Sequence, residues 1–165
     1  MKRARYLTWA SCLVGVLVLA GVSASGDQAG RSFVRVTPEQ MKWVEQPDSF
    51  GVKIAVVEGD PAKPGYYLVM VDFPPGVMSK PHYHPEERYA VALKGTWYTA
   101  TGDTFKPETA VPLTPGSYMR HPAGGHHYDG SKDEEVIVAI AGYGPSKNVL
   151  IDPNGGLYGR SMPKK

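Results

Sequence analysis

Runs of β-branched and aromatic residues alternate along this chain with short polar breaks rich in glycine and proline. Residues 52–57 and 66–73 are the clearest runs, and Gly59-Asp60-Pro61 and Lys63-Pro64-Gly65 mark the turns between them. Such composition suits a half-buried pleated surface, while glycine and proline supply the backbone angles that turns require. Further strands are expected at 88–93, 96–100, 117–120 and 135–141, separated by Lys94-Gly95, Thr101-Gly102-Asp103, Thr114-Pro115-Gly116, Ala123-Gly124-Gly125 and Asp129-Gly130. Short strands at near-regular spacing, with no long amphipathic helix, predict an all-β barrel or sandwich. A short N-terminal helix is expected after Thr37, the N-cap, with Pro38 at its first position; Pro47 limits its length.

The ends of the chain carry a different pattern. Lys2, Arg3 and Arg5 precede an apolar core from Leu13 to Ala20, and Val22-Ser23-Ala24 offers small residues for cleavage, so residues 1–24 read as a secretory signal. The uninterrupted apolar stretch from Leu7 to Val22 is about 16 residues, shorter than the roughly 20 that span a bilayer, and no stable membrane span is expected after cleavage. Residues 25–36 read as a flexible mature terminus, 37–145 as the barrel domain, and 146–165 as a C-terminal extension with one apolar patch at Val149-Leu150-Ile151. The expected location is secreted or periplasmic.

Charge and cysteine content change once the signal is set aside. Removing three of the 18 Lys+Arg and none of the 16 Asp+Glu leaves a net charge of −1, so the chain offers no argument for nucleic-acid binding. The single cysteine, Cys12, lies in the signal. Thiol catalysis and a zinc ribbon are therefore excluded from the mature domain.

All five histidines fall between residues 82 and 127. His82 and His84 stand two apart, which on a strand puts both imidazoles on one face. His126 and His127 are adjacent, so at most one of them joins the same site. Neutral imidazole suits zinc, iron, nickel and copper, and three histidines from neighbouring strands can make a site with open positions. His121 precedes Pro122 in a turn and is expected at the rim. His126 is expected to face away and to steady the rim by hydrogen bonding.

Two gapped motifs now carry a resemblance. Gly76, His82, His84 and Gly95 keep the spacing of the first cupin motif, with Arg88 where that motif has glutamate. Gly116, Pro122, Gly124 and His127 keep the spacing of the second, with Ser131 where it has asparagine. The chain thus resembles the cupin superfamily. The segments Phe73-Pro74-Pro75-Gly76, Leu93-Lys94-Gly95-Thr96-Trp97-Tyr98 and Pro122-Ala123-Gly124-Gly125-His126-His127 resemble those of small secreted cupins and of the cupin-like region of zinc-binding anti-sigma factors. The resemblance implies a double-stranded β-helix, a jelly-roll barrel, with one divalent metal ion (Zn, Fe, Mn, Ni or Cu) in its mouth. It selects His127 as the third ligand beside His82 and His84.

Arg88 departs from that pattern and leaves three readings open. It clamps an anionic substrate next to the metal, or turns out to pair with Glu86 or Glu87, or marks a degenerate site. A bulge would bring Glu87 inward as a fourth ligand. Arg88 and Tyr118 are the candidate substrate contacts. Dioxygenation, isomerisation and lyase chemistry all occur on such a scaffold, as does non-catalytic sensing of a metal or ligand. The expected partner is a small polar or anionic molecule, and a homodimer is expected because open sheet edges need covering.

Overall fold

The apolar runs form strands where the sequence places them, and the breaks between them conceal several more. The computed structural model describes residues 32–161. The expected signal segment lies outside the described residues. Of the N-terminal unit Met1–Val34 only residues 32–34 are described; the barrel belongs to a second unit, Arg35–Lys165. Its strands are β1 (Val44–Glu45), β2 (Lys53–Glu58), β3 (Gly65–Phe73), β4 (Val77–Ser79), β5 (His82–Tyr83), β6 (Arg88–Lys94), β7 (Trp97–Thr101), β8 (Val111–Leu113), β9 (Tyr118–His121), β10 (His127–Gly130), β11 (Val136–Gly144), β12 (Val149–Leu150) and β13 (Tyr158–Arg160). The expected N-terminal helix is a single 3-10 turn, Pro38–Gln40, entered through a hydrogen bond from the Thr37 N–H to Gln40 Oε1 of 2.9 Å.

Six strands form one antiparallel sheet in the order β1-β2-β3-β11-β6-β9. In the second sheet β10 pairs with β7 along one edge and with β5 and β4 along the other. The C-terminal extension is part of this sheet, since β12 pairs with β5 and β13 with β4. Alternating side chains of both sheets meet in one apolar interior: Val69, Val71 and Phe73 of β3, Val136, Val138 and Ile140 of β11, Ala90 and Ala92 of β6, and Val77 and Trp97 from the second sheet. Gly95 makes the β6–β7 turn at φ +69°, and a Cβ there would lie 2.2 Å from the Glu135 carbonyl oxygen, so only glycine fits.

Strand parity then positions the polar groups. Arg88 stands two residues before Ala90 and four before Ala92, so it shares their inward face. β9 pairs with β6 in the register Arg88↔His121 and Ala90↔Met119, and residues directly opposite across antiparallel strands share a face. On β10, His127 and Asp129 share a face, and His127 is the register partner of His82. Tyr128, between them, packs on the other side with Met78 against Phe105.

Candidate metal centre

His82, His84 and His127 are brought together, with ligand atoms all within 4.8 Å of one another, and all three are buried. In each ring the outer nitrogen is tied to a backbone carbonyl. Nδ1 of His82 donates to Lys80 O at 2.8 Å, that of His84 to Lys147 O at 2.9 Å, and that of His127 to Gly125 O at 2.9 Å. A proton fixed on Nδ1 leaves a bare lone pair on Nε2, the tautomer and orientation of a metal-ligating histidine. The Nε2 atoms of His84 and His127 are buried with no hydrogen-bond partner. An unsatisfied buried polar atom costs about 1–3 kcal/mol, and a bound cation relieves that cost. The donor set fits a borderline divalent ion.

Burial also keeps these rings neutral, the form that ligates metals. Burial, reinforced by the Arg88 charge, pushes the His84 imidazole down to about 2. Burial takes His127 down to about 3 against the opposing pull of Asp129, and lowers His82 as well. Because the folded values lie below the unfolded value of 6.5, the unfolded chain takes up protons that the folded one refuses as pH falls below that value. Stability is then lost at about 1.4 kcal/mol per pH unit for each such histidine. The metal-free protein is therefore expected to melt several degrees lower at pH 5 than at pH 7.5. A melting temperature unchanged over that interval would contradict the buried neutral triad.

Two further groups lie in the same cluster. His121 is not at the rim: it is the last residue of β9, keeps the strand's inward parity, and is only 1% exposed. Its ring centroid is 4.2 Å from that of His127 and 6.1 Å from that of His84. Asp129 sits beside it, with Oδ2 at 3.4 Å from His121 Nε2 and 3.8 Å from His127 Nε2. Burial alone would raise the Asp129 carboxyl, but the neighbouring His121, His127 and His82 outweigh it and hold the group well below the ordinary carboxylate range. Sequence reasoning passed over Asp129; the signal was its place two residues after His127 on a strand.

Arg88 faces inward and reaches the cluster, its Nη1 lying 3.3 Å from His84 Nδ1. That nitrogen already donates to the Lys147 carbonyl, so it offers the guanidinium no lone pair, and Arg88 Nε has no partner. Burial disfavours the charged guanidinium, with partial compensation from Tyr67, Asp129 and Glu86. Arg88, His82, Asp129 and Lys147 are among the polar residues lining a cavity of about 200 Å³, and Val69, Val71 and Ile140 are part of its apolar lining.

Glu87, one residue before Arg88, takes the opposite parity. Its carboxylate accepts from Tyr89 Oη at 2.6 Å and lies 3.7 Å from Arg120, away from the histidines. Glu86 accepts instead from the Lys147 N–H at 3.1 Å. Tyr118 also takes the outward parity of β9, is 59% exposed, and does not line the cavity. His126 is at the rim, bonded to Asp103 at 2.6 Å and stacked on Tyr83. Met78 is fully buried against Tyr128 and serves packing.

Two antiparallel sheets closed over a mouth that holds a His-x-His pair and a third histidine define a cupin barrel. The chain belongs to the family described as the ChrR cupin-like domain, which matches residues 31–147. No curated protein matches it. Solved structures share the fold at low identity. The polyketide cyclase RemF from Streptomyces resistomycificus is 17% identical, with a TM-score of 0.58 over 74% of this chain and 89% of that one. A cupin-2 domain protein from Rhodospirillum rubrum is 16% identical at TM-score 0.55, covering 74% and 83%. The DMSP lyase DddQ from Ruegeria pomeroyi is 21% identical at TM-score 0.55, covering 74% and 62%. No helix among the described residues is long and apolar enough to cross a membrane.

Proposed function

We propose that this is an exported cupin that binds a small anionic molecule beside a divalent ion held by His82, His84 and His127. The observation that carries the reading is Arg88, a half-buried residue whose guanidinium Nε is buried without a partner in the wall of the cavity beside the histidines. A guanidinium stays charged in proteins and presents a fork that matches carboxylate or phosphate oxygens. A divalent ion and Arg88 together outweigh the single negative charge of Asp129, so an anion completes the balance. The volume suits a small molecule, with any apolar portion lying against Val69, Val71 and Ile140. When bound, the ion supplies Lewis acidity that polarises an oxygen of the ligand. Arg88 orients that ligand, and the apolar wall excludes water around it.

Cyclase and lyase enzymes share this barrel, so the reading rests on the site and not on the fold. The family match favours a second reading, in which the same site senses a ligand or metal for a partner protein. Turnover of the bound anion separates the two. Export through residues 1–24 and assembly as a homodimer complete the proposal.

The test is Arg88→Met. Binding of small carboxylates to the metal-loaded protein, measured by calorimetry, is expected to weaken at least about tenfold, because a charge-assisted bidentate pair is lost. Metal content is expected to stay at wild-type level. The metal-free variant is expected to be at least as stable as the wild type, since replacing a half-buried, only partly compensated charge by an apolar side chain is neutral or favourable. Retained carboxylate affinity would refute the clamp.

A further inference from the structure

We propose that His121 and Asp129 complete the metal centre in place of the glutamate that position 88 lacks, so that the ion is held by four imidazoles and one carboxylate. The inference deepens the three-histidine reading and rests on it. Its first support is the state of the His121 ring, which is 1% exposed with no hydrogen-bond partner on either nitrogen. A neutral imidazole must place one N–H and one lone pair, and a buried ring with both unmet calls for an occupant of the space it faces. His121 faces the other imidazoles, with His127 the nearest and His84 next.

The second support is spacing. Asp129 Oδ2 lies 3.4 Å from His121 Nε2 and 3.8 Å from His127 Nε2, and the donor atoms of these three residues all lie within 4.8 Å of one another. Those separations are longer than the roughly 2.7–2.9 Å of a charge-assisted hydrogen bond. They are close to what two donors show when each lies about 2.0–2.2 Å from a shared ion. His127 belongs to this triad and to the His82–His84 triad alike, so the two triads meet at one ring, and a shared ion would draw their donors together.

The third support is topology. Arg88 and His121 are register partners on β6 and β9, so the donor missing from β6 is met by one directly across the strand pair, on the same inward face. Asp129 restores the carboxylate from β10. A carboxylate among imidazoles favours harder ions such as iron(II), manganese(II), nickel(II) or zinc over copper(I).

The test uses the full-length protein loaded with cobalt(II), which reports ligand number through its visible spectrum. His121→Ala and Asp129→Asn are each expected to lower cobalt affinity at least about tenfold and to change the position and intensity of the visible bands. His84→Ala serves as the reference, with binding abolished. If His84→Ala abolishes binding while both other variants keep wild-type affinity and spectrum, the three-histidine centre stands and this extension falls. If wild-type protein binds no cobalt at all, the three-histidine reading falls too. Proton NMR of the cobalt-loaded wild type does not depend on any variant folding. It is expected to show four exchangeable, hyperfine-shifted imidazole N–H resonances, and three would overturn the proposal.

Discussion

His84→Ala is expected to reduce divalent-metal affinity at least about a hundredfold and to leave the barrel folded. Altering an outer partner of a metal ligand already costs about 10–100-fold, and this substitution removes a ligand itself. His84 gives its buried Nε2 to the cluster and its Nδ1 to the Lys147 carbonyl. The nearest replacement at that position, Arg88, is itself a cation and cannot ligate in its place. Three readouts should move together. Metal content after dialysis falls from near one equivalent to near zero. The rise in melting temperature on adding metal disappears, because an ion that binds only the folded state stabilises by mass action. The acid sensitivity of the metal-free protein shrinks by the share of one histidine, about 1.4 kcal/mol per pH unit. Wild-type metal affinity in this variant would sink the proposed centre.

Trp97→Ala is expected to have the largest effect on folding, about 3–5 kcal/mol by denaturant titration. Trp97 is fully buried where the two sheets face each other, and its ring lies 5.9 Å from His121. Truncation to alanine leaves a void that close-packed β-branched neighbours cannot fill. Against a total stability of about 5–15 kcal/mol, the loss leaves a marginal domain. Trp97→Phe is expected to cost much less, because it keeps most of the volume and removes an indole N–H that is buried without a partner. A loss below about 1 kcal/mol for Trp97→Ala would mean that the interior does not close on this residue.

The long strands of the large sheet were legible because their side chains alternate over long runs. β3 and β11 pair through nine residue pairs, and parity alone identifies which of their residues meet the core. β1, β4, β5, β8, β10, β12 and β13 were not separated by the same reasoning. They are two to four residues long, too short for alternation to show, and they exist as strands only because a neighbour pairs with them. His82, His84 and His127 could be named from motif spacing, since His-x-His and a fixed interval after glycine and proline survive in one dimension.

What the chain by itself determined is therefore the class of fold, the three histidines, and the anomaly at Arg88: local alternation, turn chemistry and motif spacing are short-range properties. Tertiary structure alone decided which other groups reach the histidines. His121 looked like a turn residue until the register of β9 against β6 placed it opposite Arg88 on the inner face. Glu87 and Tyr118 were removed from the cavity by the same parity. Lys147, from the extension past the barrel, orients His84 through its carbonyl. These are relations between strands distant in sequence, and side-chain direction across a sheet is fixed by pairing register, which hydrogen bonds between strands establish only on folding.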